Sequence, residues 1–326
     1  MDWRRMSTEV LRLVGGRLEY PDIFDLDQLA KNPDLEIQKA GGGYLVQSRR
    51  ARRIEEIHVF LHGSIRLPDD LRWAMGLCDL EGAAATIVDN CDLGTSALAM
   101  RLAFWMSRDP EPSRAVAFFD VARVLIDANR YSVEDQVPMR PYRGTPILRT
   151  DLHAVERQTI IQEWLYPWVQ LVAAVITGHG IHRVFHHHTY DAVGQTSSSL
   201  DRSPGLPRPA GMIFLESPHG LKGGPTPVPH TLVDLRLLKR ILSLLESYLR
   251  QIQPDAEVRI DWPYLCPLMP LLPVALPRRI QSPSLLQVAT IIYEIRKDLL
   301  RREVDLQLVV EAIKAMSKEA QSFQAA

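Results

Sequence analysis

Val184-Phe185-His186-His187-His188-Thr189-Tyr190-Asp191 runs from an apolar lead-in straight into three histidines, then to a hydroxyl group and an acid. This is the pattern of a buried strand that delivers its C-terminal end to a polar site. Alternate side chains of a strand share a face, so His186 and His188 point one way and His187 the other. Imidazole is the commonest side chain for holding a transition metal. Taken alone, the stretch reads equally well as a solvated histidine-rich loop, and the rest of the chain decides between the two.

Outward from this stretch, other apolar runs end in the same way. Ile57–Leu61 reads as a buried strand ending at His62-Gly63-Ser64, and Leu67-Pro68-Asp69-Asp70 opens a helix with residues suited to a first turn. Ala84–Asp89 reads as a short strand leading into Asn90-Cys91-Asp92, and 96–106 as a helix. Ala115–Phe119 and Val121–Ile126 are β-like, the second ending in Asp127-Ala128-Asn129-Arg130. Pro138–Pro146 is a loop, and 153–177 is a long helical pattern that Pro167 kinks. Met212–Leu215 reads as a strand between loops at 194–210 and 217–230, rich in Gly, Pro and Ser. A helix over Leu232–Gln251 and a strand near Glu257–Ile260 follow. A Pro-rich passage then reaches Pro283, and helices are expected over 284–300 and 304–318.

Strands alternating with helices predict an α/β fold, a three-layer αβα sandwich around a mixed, mostly parallel sheet. Sites in such folds lie at the C-terminal ends of the strands, where His62, Asp127–Arg130 and His188 all fall. One domain is expected over 1–326, with an N-terminal extension at 1–53 and a C-terminal helix over 301–326.

Composition narrows the function classes. The 326 residues are 46% apolar and 24% charged, an ordinary soluble profile, and the formal net charge of -1 offers no field for nucleic acid or an anionic membrane. No run approaches the ~20 apolar residues of a membrane span. The three cysteines, Cys78, Cys91 and Cys266, are widely spaced and odd in number, which argues against a disulfide framework and fits a reducing cytoplasm.

The strand-end residues supply two histidines, several acids and an Asn-Arg pair. Three His or carboxylate ligands with one position left for water make a catalytic metal site. A nearby carboxylate moves the proton, and arginine stabilises an oxyanion or grips a carboxylate.

The ordered set of motifs resembles the N-formylglutamate amidohydrolases, relatives of the zinc carboxypeptidases and of deacylases with an Asp-x-Asn-Arg motif. Leu61-His62-Gly63-Ser64 with Pro68 looks like the early His-Gly segment, and Asp89–Gly94 like the acidic segment before the next helix. Arg123–Arg130 matches Arg-x-x-x-Asp-x-Asn-Arg, and His186-His187-His188-Thr189 falls where the family has Asp-x-His-Ser. Ile292-Tyr293-Glu294-Ile295-Arg296 looks like the late strand or helix start that carries a glutamate.

The resemblance implies His62, Asp92 and His188 as ligands of a divalent metal, zinc first, with Asp89 the rival carboxylate. It implies Glu294 as general base, Asn129 and Arg130 as holding a substrate carboxylate, and Arg123 as facing the oxyanion. The activity it implies is removal of an N-acyl group, N-formyl among the candidates, from a small-molecule acylated amino acid. Two departures stand out: His186 replaces the family's Asp, and Trp164–Trp168 lacks an expected histidine.

Each residue also has an ordinary role. Asp92 can cap the following helix, Arg123 and Arg130 can pair with Asp127, and Glu294 lies in a charged run that favours exposure. Glu216 is a second candidate base. A carboxypeptidase-type peptidase or deacylase on a larger substrate, and a non-catalytic binding module, are the competing functions.

Overall fold

The computed structural model describes residues 3–325, apart from 52, 77–78, 110–112, 131–132, 142, 180, 182, 194–204, 220–224, 232 and 262–288. Cys78, Cys266, the Pro-rich passage to Pro283 and most of the 194–210 loop therefore lie outside the described residues, as do the side chains of Glu216, His219 and His230. The strands are β1 (Leu35–Ala40), β2 (Gly43–Ser48), β3 (Glu56–Phe60), β4 (Arg114–Phe119), β5 (Arg183–Tyr190), β6 (Gly211–Phe214), β7 (Glu216–His219), β8 (Pro225–Thr231), β9 (Val258–Ile260) and β10 (Ala289–Arg296). Eight of them form one sheet in the order β1-β2-β4-β3-β5-β10-β6-β9, and β7 and β8 pair as a separate ribbon. The central four, β4-β3-β5-β10, run parallel, with antiparallel β2 and β6 on either side.

The helices are α1 (Trp3–Gly15), α2 (Leu26–Ala30), α3 (Leu80–Asn90), α4 (Thr95–Arg108), α5 (Val133–Gln136), α6 (Ala154–Ile160), α7 (Tyr166–His179), α8 (Leu235–Ile252) and one over Glu303–Ala325, α9. Both faces of the sheet are covered. Trp105 of α4 and Ser317 of α9 meet the face that carries Glu56 and His58, while Trp168 of α7 packs on Phe119 of the other. Every residue of β4 and β5 is accordingly buried, the condition of parallel strands sandwiched between helices. The expected αβα architecture with a mixed, largely parallel sheet is the one observed. Among the described residues, no helix is long and apolar enough to cross a membrane.

Local expectations differ in four places. Ala84–Asp89 lies inside α3, not in a strand. Ala83, Ala84, Ile87 and Val88 are buried at helical spacing, and the Asp79 carboxylate caps the helix by accepting from Gly82 N at 2.7 Å. Val121–Ile126 is a buried loop held by turns, with Ala122 N donating to Arg66 O and Leu125 N to Ala122 O. The described part of the 284–300 segment is strand β10 followed by a 3-10 turn at Lys297–Leu300. Its β-branched residues Thr290, Ile291, Ile292 and Ile295 suit a sheet interior better than a helix. The 217–230 stretch contributes to the β7–β8 ribbon. Pro167 sits in the first turn of α7, just after a π-helical segment at Ile161–Leu165 that lies inside one uninterrupted helical run from α6 to α7.

Candidate metal centre

Three separate elements converge at the C-terminal edge of the parallel strands. His62 follows β3, His188 lies near the end of β5, and Asp92 occupies the loop between α3 and α4. All three are buried, and one ligand atom from each lies within 4.8 Å of the others. His188 Nδ1 is 3.1 Å from Asp92 Oδ2, and His62 Nδ1 is 3.8 Å from the same oxygen. The structure thus brings together the trio expected from sequence.

The loops are tied so that these side chains can meet. Asp92 N donates to His62 O at 2.9 Å, and Ser96 Oγ donates to Gly63 O at 2.7 Å. A Cβ on Gly63 would fall 2.4 Å from Thr95 Oγ1, so only glycine permits this approach. Gly94 has φ +90°, the left-handed turn that starts α4. Asp92 does not cap that helix. The cap comes from Asp22, far upstream in the chain: its carboxylate accepts from Gly94 N at 2.6 Å and Ala97 N at 2.9 Å. With the helix end satisfied from elsewhere, the Asp92 side chain is released to face the histidines.

Asp127 organises the other side. Its Oδ1 accepts from His62 Nε2 at 2.9 Å and from Asn129 N at 3.1 Å. Its Oδ2 accepts from Arg123 Nε at 3.0 Å, and Arg130 Nε lies 3.4 Å away. Burial opposes ionisation of Asp127, but Arg123, His62 and Arg130 outweigh it and hold the carboxyl well below the usual range. Asp92 follows the same logic: burial is offset by the His188 hydrogen bond, the two imidazoles and Arg123, so it too stays ionised. Arg123 Nη1 stands 3.9 Å from Asp92 Oδ1, between the two carboxylates.

His62 is pushed down to about 4, first by burial and then by Arg123, against the pull of Asp127 and Asp92. A neutral imidazole that donates through Nε2 to Asp127 presents a bare lone pair at Nδ1. That atom is buried and has no hydrogen-bond partner among the described residues. A desolvated lone pair aimed at an ionised carboxylate is an unfavourable arrangement unless a cation lies between them. The donor set therefore fits a divalent metal held by His62, Asp92 and His188, the His/carboxylate composition of open catalytic sites.

Glu294 lies on β10 directly beside His188 in the parallel register, so the two side chains share a face of the sheet. It is 5% exposed, and its charge raises Arg123. The exposure expected from its charged neighbours is not what the structure shows, because those neighbours sit at the strand's end and in the 3-10 turn beyond it. Asn129 and Arg130 are placed around Asp127, next to His62. Asp89 is elsewhere: it pairs with Arg17 at 2.7 Å on the partly exposed side of α3. His186 shares the face of His188, its ring parallel to that of His188 at 6.4 Å, with Nε2 buried and unpartnered among the described residues. Cys91 is buried against the carbonyls of His62 and Gly63, and burial keeps it a thiol.

No family model and no curated protein matches the sequence. Solved structures do. The gene product Atu2144 of Agrobacterium tumefaciens matches with TM-score 0.58 at 18% identity, over 92% of this chain and 99% of that one. It shows a shared fold. Weaker likenesses include a metallo-carboxypeptidase from Pseudomonas aeruginosa, with TM-score 0.39 at 11% identity, over 90% of this chain and 67% of that one. Another is the catalytic domain of CwlV, an N-acetylmuramoyl-L-alanine amidase from Bacillus (Paenibacillus) polymyxa. It matches with TM-score 0.35 at 8% identity, over 82% of this chain and 99% of that one.

Proposed function

We propose that the chain is a metal-dependent amidohydrolase that removes an N-acyl group, formyl among the candidates, from an amino acid or similar small carboxylated amide. The observation that supports this reading is the buried His62–Asp92–His188 cluster, with His62 Nδ1 unpartnered among the described residues, and, one strand away in register, Glu294. When bound, a divalent ion supplies Lewis-acid polarisation of the acyl carbonyl and a water of lowered pKa. Glu294 takes the proton of the attacking water and returns it to the departing amine nitrogen. Arg123 stabilises the negative charge that develops on the carbonyl oxygen. Arg130, whose Nε lies beside Asp127, holds a substrate carboxylate together with Asn129, since a guanidinium can bind a carboxylate through charge-assisted hydrogen bonds.

Metal analysis of protein purified without chelator, beside His62→Ala and His188→Ala, is the direct test. Wild-type protein is expected to carry about one equivalent and the variants far less, in keeping with the loss of a ligand. Equal metal content in all three would refute the centre. Assays on N-formyl and N-acetyl amino acids against acylated peptides then separate this reading from a peptidase, and hydrolysis of peptides alone would overturn the small-substrate assignment.

A further inference from the structure

On the face of the sheet opposite the cluster, a continuous line of buried polar groups crosses three parallel strands. Glu56 Oε1 is 2.9 Å from His58 Nε2, and His58 Nδ1 is 2.9 Å from His187 Nε2. His187 Nδ1 in turn meets the hydroxyl of Tyr293. The anchoring Glu56 carboxylate also accepts from Arg114 Nε at 3.2 Å, Arg183 Nε at 3.1 Å and Ser317 Oγ at 2.7 Å. An ionised carboxylate only accepts. With one proton on each imidazole, the order of donors is therefore fixed: Tyr293 O–H to His187, His187 Nε2–H to His58, and His58 Nε2–H to Glu56. The rings are stacked as well, Phe60 on His187 at 4.4 Å and His58 on Phe185 at 5.2 Å.

Stability alone does not account for this line. Burying ions and imidazoles costs desolvation, and apolar residues of similar shape commonly do as well. What apolar residues cannot do here is set the register of β5. Its side chains alternate as Arg183, Phe185 and His187 on one face, and Val184, His186 and His188 on the other. Each set has an apolar residue and at least one histidine, so hydrophobic pattern discriminates weakly between the two faces. A slip of one residue would exchange them, and the three consecutive histidines cannot tell the sheet which of them belongs at the centre.

We infer that the line Glu56–His58–His187–Tyr293 consists of positioning residues that select His187 for the rear face, and so deliver His188 and Glu294 to the metal cluster. Phe60, His187 and Tyr293 occupy one level across β3, β5 and β10, and the next residues along β5 and β10 are His188 and Glu294. Arg183, bonded to the same Glu56, fixes β5 at a second point near its start. The inference rests on the metal-centre reading above and adds what holds that centre in register.

Tyr293→Phe tests it, because it keeps the ring and removes the terminal donor. Ile291→Val, fully buried on the same face of β10, is the control for loosened packing. Cobalt(II) absorption spectra and zinc affinity by chelator competition are measured on the full-length chain. Tyr293→Phe is expected to weaken zinc by roughly 3- to 10-fold, at or below the range for loss of an outer-shell partner, and to alter the cobalt bands. Ile291→Val is expected to lower the unfolding midpoint while keeping wild-type affinity and spectrum. Wild-type behaviour of Tyr293→Phe, or equal changes in both variants, overturns the inference while leaving the metal centre intact. Failure of the wild-type protein to take up any metal overturns both. Independently of any variant, imidazole nitrogen NMR is expected to find the proton of both His58 and His187 on Nε2, and the opposite tautomers would break the line.

Discussion

His62 donates its Nε2–H to Asp127 Oδ1 at 2.9 Å, and this one hydrogen bond decides which ring nitrogen of His62 is left to face Asp92. A ligating histidine is commonly set in this way, with its second nitrogen fixed by a carboxylate. Asp127→Asn keeps the size of the side chain but replaces an obligate acceptor with a group that can also donate. It also removes the charge that Arg123 and Arg130 share. Zinc affinity is expected to fall about 10- to 100-fold, read by chelator competition. Retention of wild-type affinity would show that the tautomer of His62 is set by something other than Asp127.

Glu294 is the base in the proposed reaction, and Glu294→Gln separates that role from metal binding. The substitution keeps shape and hydrogen-bonding capacity but cannot accept a proton. Turnover is expected to drop by roughly 10²- to 10⁴-fold, the usual contribution of a general base, with metal content unchanged. Loss of metal in step with activity would instead make Glu294 part of the ligand set. Full activity with full metal would pass the role to another acid, Glu216 being the second candidate.

Asp22 illustrates a dependence that contacts at the centre do not display. Its buried carboxylate closes the N-terminus of α4 through Gly94 N and Ala97 N, and those amides begin just after Asp92. Asp22→Ala leaves both donors unpaired in a buried setting, expected to cost about 1–3 kcal/mol. The measurement is denaturant unfolding at neutral pH. Metal affinity is expected to weaken too, because the loop that presents Asp92 loses its anchor. A stability loss without any change in affinity would confine Asp22 to capping the helix.

The parallel core and the residues at its strand ends are legible in the sequence because both follow local rules. Apolar runs of strand length end in His62 and His188, and period-two alternation places His187 apart from its neighbours. Interactions of long sequence separation are not legible. Asp127 reads as a partner for Arg123 and Arg130 close by in the chain, but nothing local points to His62, 65 residues upstream. Asp22 carries no sequence signal of its role, and without it Asp92 looks like the N-cap. The strand over Ala289–Arg296 resembles a helix because Glu294, Arg296, Lys297 and Asp298 mimic an exposed helical face. In fact the strand ends at Arg296, and only Glu294 among the acids is inside the sheet. In α3 the conflict runs the other way: Thr86, Ile87 and Val88 favour strands in isolation, and a capped, amphipathic turn pattern overrides them.

The centre also predicts how the metal-free protein responds to acid. His62 is pushed down to about 4 and His186 to about 3, in both cases chiefly by burial. Both are thus held neutral in the fold, whereas the unfolded chain protonates them near 6.5. The unfolded state then binds more protons between these values, so stability rises with pH across that window. The contribution is complete above about 6.5 and is lost as pH falls through 4 towards 3, each tenfold difference in proton affinity between the two states being worth ~1.4 kcal/mol. Denaturant midpoints of metal-free protein are expected to fall steadily from pH 7 to pH 4. His186→Leu removes one of these buried histidines, whose Nε2 is unpartnered among the described residues, and is expected to flatten that slope without lowering stability at pH 7. A variant whose midpoint tracks the wild-type curve at every pH would mean that His186 is not held neutral by its burial. The acid dependence would then come from His62, from His187, which burial also pushes well below its ordinary value, and from the carboxylates around His62.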